Sequence, residues 1–311
     1  MRQRRGPYHW LMTERLDVLK TYKLYINGQF PRSESGRSTP VTDAKGKVLA
    51  HVARASRKDL RDAVEAARKA QDPWAAATAY LRGQIMYRMA EMMEGKRAEF
   101  VAALRARERG SERARAKTAP AEAEVTAAID RLVHYAGWAD KYAQVLGCNN
   151  PVSGPYYNFT ITEPTGVVAV VAPDECPLLA LVSLLAPAVC AGNTVVAVAS
   201  GTNPLPAAIL GEVCATSDLP AGVVNLLTGD WAELLSFIAE HRDIDAVHAA
   251  NLAVEENTKL REGAAENIKR VTCRGVEGKA AVDWYDNDAC QSPWWIESFV
   301  EMKTIWHPAA V

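Results

Sequence analysis

Two short apolar runs with an apolar segment between them constrain the fold of this chain most. Residues 166–172 and 194–198 consist almost entirely of valine and alanine, and residues 178–191 form the segment that separates them. Continuous apolar runs of this length are typical of parallel strands buried on both faces. The intervening segment is long enough for a helix and stops at Gly192-Asn193, a common helix end. The sequence therefore predicts a strand, a buried helix and a second strand.

The same alternation continues toward the C-terminus. Residues 206–215 and 232–239 have helical composition, and residues 223–227 and 246–250 are two further apolar strands. Strands that alternate with helices in this way predict a doubly wound α/β domain around a parallel sheet.

The chain before this core predicts short strands followed by long helices. Residues 22–30 alternate in polarity and turn at Asn27-Gly28, a pair that favours a tight hairpin. Ser56 is a suitable N-cap for a helix that Pro73 would end. The remaining stretches are a predicted strand at 48–53 and predicted helices at 80–104 and 122–144.

Composition excludes several classes of function. The chain is 49% hydrophobic and 23% charged, as in soluble globular proteins, and its net charge of −1 gives no field that would attract nucleic acid or an anionic membrane. The segment 178–191 is too short to span a bilayer. Six cysteines without a CxxC pair indicate reduced thiols and a cytoplasmic location.

Two groups of charged or titratable residues have patterns that do not by themselves indicate a function. The arginine-rich segment 105–119 is interleaved with glutamate and lacks aromatic residues, so we interpret it as a solvated helix or loop, with a partner-docking face as the alternative. His241 and His248 have no third ligand nearby in the sequence, so no metal site is expected.

Several motifs in fixed order carry a resemblance to a known family. They are Glu163-Pro164-x-Gly166-Val167, Ala186-Pro187-Ala188-x-x-Ala191-Gly192-Asn193-Thr194-Val195-Val196, Leu219-Pro220-Ala221-Gly222-Val223-Val224-Asn225 and Asp243-Ile244-Asp245-Ala246-Val247. These motifs resemble the aldehyde dehydrogenase superfamily, as do Tyr25-Ile26-Asn27-Gly28 at the start and residues 301–306 near the end. The resemblance implies a Rossmann-like cofactor domain, a β oligomerisation flap, and oxidation of aldehydes with NAD(P) by a cysteine thiolate, an oxyanion hole and a carboxylate base.

The positions that the resemblance assigns to catalysis are altered. Glu175 stands where the family has its oxyanion-binding asparagine, and its negative charge would repel a developing alkoxide. Arg274 stands at the general-base position, and arginine cannot take up a proton. The segment that carries the nucleophile is absent, because only residues 273–293 link the core to the terminal strand. Cys290 lacks the sequence context of the family's nucleophile.

Cys273 is the one remaining candidate nucleophile. Arg270 and Arg274 flank it in the sequence, and nearby cations lower the pKa of a thiol. The alternative interpretation is a cysteine at a strand end between two solvated arginines.

The cofactor positions that the resemblance implies are reduced to remnants. The run that grips the adenosine ribose in the family reads Val198-Ala199-Ser200-Gly201 here, without its lysine and carboxylate. Asp230 would meet a pyrophosphate with like charge. The positions that still match are Pro173, Ser200, Pro204 and Gly229. We therefore expect no cofactor, with NAD as the disfavoured alternative.

These observations lead to a hypothesis of a non-catalytic subunit. Residues 21–28 and 294–301 resemble the shortened, inactive second copy of a family branch that fuses two dehydrogenase-like copies. The implied partner is a full-length aldehyde dehydrogenase or a second copy of this chain. The alternatives are an NAD(P)-dependent aldehyde oxidoreductase with an atypical site and a nucleotide-binding sensor.

The predicted organisation follows from the same resemblance. Its units are an N-terminal extension (1–20), N-terminal strands and helices (21–150), a Rossmann-like core (163–272), a linker in place of the catalytic domain (273–293) and a flap (151–162 with 294–308). The predicted interface residues of the flap are aromatic: Tyr156, Tyr157, Phe159, Trp294, Trp295, Phe299 and Trp306.

Overall fold

The computed structural model describes residues 18–106, 119–275 and 281–309. The extension 1–20 and the charged segment 105–119 lie mostly outside these residues. The strands are β1 (Lys20–Tyr22), β2 (Ser38–Thr42), β3 (Val48–Ala53), β4 (Cys148–Asn150), β5 (Tyr156–Pro164), β6 (Val167–Val171), β7 (Thr194–Val198), β8 (Val224–Leu227), β9 (Ala246–Ala250), β10 (Arg270–Arg274) and β11 (Val300–Pro308). The helices are α1 (Arg57–Ala76), α2 (Ala79–Gly95), α3 (Arg97–Leu104), α4 (Ala119–Trp138), α5 (Tyr142–Leu146), α6 (Leu179–Cys190), α7 (Leu205–Thr216), α8 (Trp231–Glu240), α9 (Val254–Ala265), α10 (Asn287–Cys290) and α11 (Trp294–Glu297).

The core is a parallel sheet of five strands in the order β10-β9-β6-β7-β8. The chain runs outward from β6 in both directions, which confirms the doubly wound α/β prediction. The fifth strand, β10, was not separated by the sequence pattern. It ends at Arg274, so the first two residues of the predicted linker 273–293 belong to the sheet.

Alternate residues of each central strand enter two different apolar layers. Val168 and Val170 pack toward α2, α4, α6 and α7, whereas Val167, Ala169 and Val171 pack toward α1, α8 and α9. This division follows from the period of two in a strand. Both faces of the sheet are therefore covered, as its continuous valine and alanine runs require. None of the helices among the described residues is long and apolar enough to cross a bilayer.

The ends of the N-terminal helices differ from the sequence prediction. Ser56 does cap α1, where its hydroxyl accepts the Asp59 N–H at 3.3 Å. The helix then continues through Pro73 to Ala76, because the buried Trp74 ties its last turn to Val189 O at 3.2 Å. The predicted helix 80–104 is two helices, α2 and α3, separated at Lys96. The predicted helix 122–144 is likewise divided into α4 and α5.

The flap is a separate three-stranded sheet in the order β11-β5-β4. β11 and β5 are antiparallel and paired from Val300–Pro164 to Pro308–Tyr156. Trp295 and Phe299 do not belong to its surface. Both are buried in the core of this chain, so the prediction that they form an interface is wrong for these two residues.

Gly166, Asn193 and Asp245, which belong to the family-like motifs, form hydrogen bonds at the start of the central sheet. Asn193 accepts a hydrogen bond from Gly166 N at 2.8 Å and donates to Ala188 O at 3.0 Å and to Phe299 O at 2.9 Å. Asp245 accepts the Val167 N–H at 2.7 Å. These side chains join the start of β6, the end of α6 and the residue before β11.

Gly166 offers a stability test of this junction. Its φ is +135°, and a Cβ there would lie 2.0 Å from Asp245 Oδ2. We expect Gly166→Ala to lower the free energy of unfolding by about 2–4 kcal/mol in urea titrations, because both the backbone and the carboxylate would have to move. Gly137→Ala is the matched control, since nothing lies within 4 Å of a Cβ at this position of α4. The control is expected to gain about 0.5–1 kcal/mol, and equal effects in the two variants would contradict the assignment.

Candidate functional site

The carboxyl ends of the central strands meet at one edge of the sheet, where open α/β domains bind their ligands. Beyond β7 and β8 this edge contains a cleft of about 450 Å³. Pro204 and Gly229 line it together, as do Asp174, Arg54 and Asp230. The structure thus brings two of the four predicted cofactor remnants into one cavity.

The polar groups beside β7 are engaged within the protein. The Ser200 hydroxyl donates to Asp174 Oδ1 at 2.7 Å, and the Thr202 N–H donates to the same oxygen at 3.0 Å. Ser200 Oγ also accepts the Asn203 N–H at 3.1 Å. Pro173 is buried next to this carboxylate. The Asp174 side chain therefore accepts hydrogen bonds that the loop after β7 would otherwise offer to a ligand.

A second carboxylate occupies the helix end beside β8. Asp230 is the N-cap of α8 and accepts the Ala232 N–H at 3.1 Å. Arg54 lines the cleft. Its Nη2 lies 3.7 Å from Asp230 Oδ2 and also contacts Glu233. A helix N-terminus is a natural anion site, but here the protein's own acidic side chain fills it.

Arg274 projects from the end of β10 into a buried aromatic environment. Its Nε–H donates to His248 Nε2 at 2.8 Å, its Nη2 donates to Ser298 Oγ at 3.2 Å, and its guanidinium lies 3.9 Å from the centre of the Trp295 ring. The fully buried His248 uses its other ring nitrogen, Nδ1–H, to donate to Leu184 O at 2.8 Å. Burial, and next the Arg274 charge, hold the pKa of His248 well below its usual value, so the ring stays neutral.

Glu175 is exposed and is joined to the same end of the sheet through Asn251. The Asn251 side chain donates to Glu175 Oε2 at 3.4 Å, and its backbone N–H donates to Arg274 O at 2.9 Å. Glu175 therefore presents a carboxylate, not an amide donor, at the position predicted for oxyanion binding. Arg274 leaves that end of the sheet without a proton acceptor at the predicted base position.

Cys273 does not have the environment of a nucleophile. It lies on β10 between Arg270 and Arg274, and side chains alternate across a strand, so both arginines project from the opposite face. Its own face packs against the apolar layer below α8 and α9. Burial raises the pKa of the Cys273 thiol, which is the opposite of the predicted shift. The alternative interpretation was also incomplete, because Arg274 is partly buried and bonded to His248 and Ser298.

Two other thiols, those of Cys176 and Cys290, lie in environments that disfavour the thiolate. Burial raises the pKa of Cys176 to about 12 and also raises that of Cys290. In the described part of the chain, no group of His, Cys, Asp and Glu side chains is arranged to hold a metal ion.

Comparison with known proteins identifies the family. A profile described as the aldehyde dehydrogenase family matches residues 30–282. The chain belongs to this family.

Curated relatives agree over most of this chain. A mitochondrial benzaldehyde dehydrogenase of Antirrhinum majus is 35% identical over 80% of the chain and 46% of its own length. Retinal dehydrogenase 2 of Gallus gallus is 35% identical over 85% of the chain and 50% of its own length. The chain thus spans about half the length of the curated relatives that it matches.

Solved aldehyde dehydrogenases have the same fold. The NAD+ complex of the Bacillus cereus enzyme superposes with a TM-score of 0.75 and 28% identity, over 82% of this chain and 51% of that one. An enzyme from Brucella melitensis gives a TM-score of 0.75 at 25% identity. In this chain only residues 275–299 separate β10 from β11, so the missing part includes the catalytic domain predicted to be deleted.

The aldehyde dehydrogenase cofactor does not fit the residues present at this cleft. The two positions expected to grip its ribose are Val198 and Gly201, which offer no charged side chain. The Ser200 hydroxyl donates to Asp174 and the Ala232 N–H donates to Asp230, and both carboxylates would repel a phosphate. Arg54 also lines the cleft, and its guanidinium contacts Asp230 and Glu233, although its buried Nε has no hydrogen-bond partner among the described residues. No chemical step through NAD(P) is derived for this chain.

Sequence reasoning did not place Asp174 or Arg54 at the cleft, and it considered His248 only as a metal ligand and not as a partner of Arg274. Asp174 reaches Ser200 across 26 positions, and Arg54 reaches Glu233 across 179 positions, so no local spacing links either pair. The only local signal was that Asp174 precedes the altered residue Glu175.

NAD titration tests this cleft directly. We expect no saturable heat of NAD binding to the chain up to about 1 mM in isothermal titration calorimetry, because the ribose contacts are absent. The Bacillus cereus aldehyde dehydrogenase, whose structure contains NAD+, is the positive control. A saturable isotherm for this chain below that concentration would show that the cleft still binds the cofactor.

Alkylation rates test the state of Cys273. At pH 7.5 we expect iodoacetamide to modify the exposed Cys148 at least about tenfold faster than Cys273, whose raised pKa leaves little thiolate. Raising the pH should accelerate the Cys273 reaction, as followed by peptide mass spectrometry, because the thiolate fraction grows toward that pKa. Cys273→Ser should remove only the slow component. Faster modification at Cys273 than at Cys148 would restore it as a candidate nucleophile.

Proposed function

We propose that this chain is a non-catalytic aldehyde dehydrogenase-like subunit that assembles through its flap with an active, full-length aldehyde dehydrogenase or with itself. The observation that carries the proposal is the engagement of Arg274, at the base position, in a buried contact with His248 and Trp295. Arg274 is therefore held in contacts within the chain at the position where the family has its base, and we infer that the chain acts through what it binds. Its role is then structural or regulatory within the assembly.

The flap supports assembly because its edge strand is available. β11 is paired with β5 on one side, and no strand among the described residues pairs with its other side. An unpaired edge strand offers backbone donors and acceptors to a second chain. Proteins usually protect such an edge by keeping the strand short or by covering it, but β11 continues for nine residues.

The side chains of the flap have the character of an interface. Trp306 is 59% exposed and Tyr156 is 48% exposed, and their rings meet edge to face at 5.8 Å. Tyr157, Ile161 and Met302 add further exposed apolar surface to the same sheet. Large aromatic side chains that are already held in place lose little entropy on binding, which favours them in interface centres. Of the predicted interface residues outside this sheet, Trp294 is also exposed.

The preferred partner is a full-length dehydrogenase, because residues 21–28 and 294–301 resemble the inactive copy that accompanies an active one in the two-copy branch. The six free cysteines support a reducing compartment, and we propose the cytoplasm. The aldehydes named for the relatives belong to those enzymes, and the substrate of the assembly would be that of its active subunit.

Affinity capture from the native host tests the assembly. A tagged chain is expected to recover a full-length aldehyde dehydrogenase, or to form a homo-oligomer by native mass spectrometry. Trp306→Glu should weaken either assembly by at least about tenfold, because it places a charge among the exposed apolar side chains of the edge strand. Tyr80→Glu is the matched control on α2, outside the flap sheet, where the ring is 67% exposed.

Three results would count against the proposal. They are a monomeric chain that recovers no dehydrogenase, equal loss in the Trp306→Glu and Tyr80→Glu variants, and turnover of an aldehyde by the isolated chain.

A further inference from the structure

Residues 281–299, here named the cap, cover the face of the core beside α4 and α6. Five of their apolar side chains are buried, whereas Tyr285 and Trp294 are exposed. The buried ones are Trp284, Cys290, Trp295, Ile296 and Phe299. All five belong to the same apolar layer as α6 and the near face of the central sheet. The cap therefore encloses apolar surface that would otherwise meet water once the catalytic domain is missing.

Arg274 is the central polar contact of the cap. It bonds Ser298 Oγ and lies under the Trp295 ring, while His248 fixes its orientation from the sheet. Within the described residues no ion pair to Arg274 is found. Burial lowers the pKa of Arg274 only to about 10, so the guanidinium remains charged at neutral pH. In this partly buried position, hydrogen bonds and an aromatic face replace much of the hydration of the guanidinium.

A second buried arginine holds the other half of the cap. Arg131, fully buried on α4, donates to Trp284 O at 2.9 Å and to Asn287 Oδ1 at 3.2 Å. One turn later the Tyr135 hydroxyl donates to Cys290 O at 2.9 Å. Backbone carbonyls and side chains of the cap thus receive donors directly from the core.

Asn251 holds the first residues of the cap, and Glu175, the other residue at an altered catalytic position, accepts a hydrogen bond from Asn251. Asn251 Oδ1 accepts the Val282 N–H at 3.1 Å, while its amide group donates to Glu175. Glu175 orients the side chain that holds Val282, and Arg274 holds Ser298 near the opposite end. Both residues that stand at family catalytic positions therefore contact the cap or the side chain that anchors it.

We propose that the cap has replaced the catalytic domain on this face, and that Glu175 and Arg274 are now positioning residues that hold it closed. Two consequences follow. The face cannot accept the catalytic domain of another subunit, and restoring the family residues at these two positions loosens the cap without restoring a reaction. The inference concerns the isolated chain and does not depend on whether a partner is found.

Hydrogen–deuterium exchange of the full chain tests the proposal. Arg274→Ala should increase exchange of cap peptides by about 10- to 100-fold, the effect expected from loss of a charged hydrogen bond, while peptides of β6 and β7 keep their protection. Arg274→Lys keeps the charge without the planar fork and should give an intermediate increase. Arg261→Ala on the exposed side of α9 is the matched control and should leave the cap unchanged.

Further variants keep the test decisive if Arg274→Ala does not fold. Ser298→Ala removes one partner and leaves the arginine in place, so cap exchange should rise by a few fold. Glu175→Asn with Arg274→Glu, which restores both family residues, should expose the cap most and turn over no aldehyde. Unchanged cap exchange in Arg274→Lys and Ser298→Ala would overturn the proposal, as would an equal rise across the central strands, which indicates a general loss of stability.

Discussion

The structure depends on covering both faces of a five-stranded parallel sheet. Its central strands are apolar on each face, so neither face can remain in contact with water. Helices α1, α8 and α9 cover one face, and α2, α4, α6 and α7 cover the other. The same requirement accounts for the buried side chains of the cap, which add to the second layer beside α4 and α6.

At the sheet edge where open α/β domains bind ligands, several hydrogen-bond donors are bonded to carboxylates of this chain. Asp174 accepts the donors after β7, Asp230 caps α8, and Asn251 links Glu175 to the cap. Buried or inward-facing donors without a ligand would be costly, and internal carboxylates remove that cost. Under the proposed function, the residues that stand at the family's catalytic positions contribute contacts within the chain instead of chemistry. The flap did not undergo this change, and it retains exposed aromatic side chains.

Local pattern was enough to predict most elements but not where the helices end. The valine and alanine runs identified the central strands because composition alone distinguishes a strand buried on both faces. Pro73 was expected to end α1, but the burial of Trp74 holds the last turn in a helical conformation. Lys96 interrupts the predicted helix 80–104, and it also bonds Glu212 at 2.7 Å, a partner more than one hundred positions away. Such decisions rest on long-range contacts that no short window contains.

The sequence by itself determined the family, the doubly wound sheet and the identity of the residues at the catalytic positions, because these depend on composition and on motif order. Tertiary structure decided what those residues do. The face of β10 on which Cys273 lies, and the burial that raises its pKa, follow from strand alternation against a particular layer. Trp295 and Phe299 look like interface residues by type, yet they complete the core, because the chain returns from β10 across α6 and the nearest apolar surface is its own.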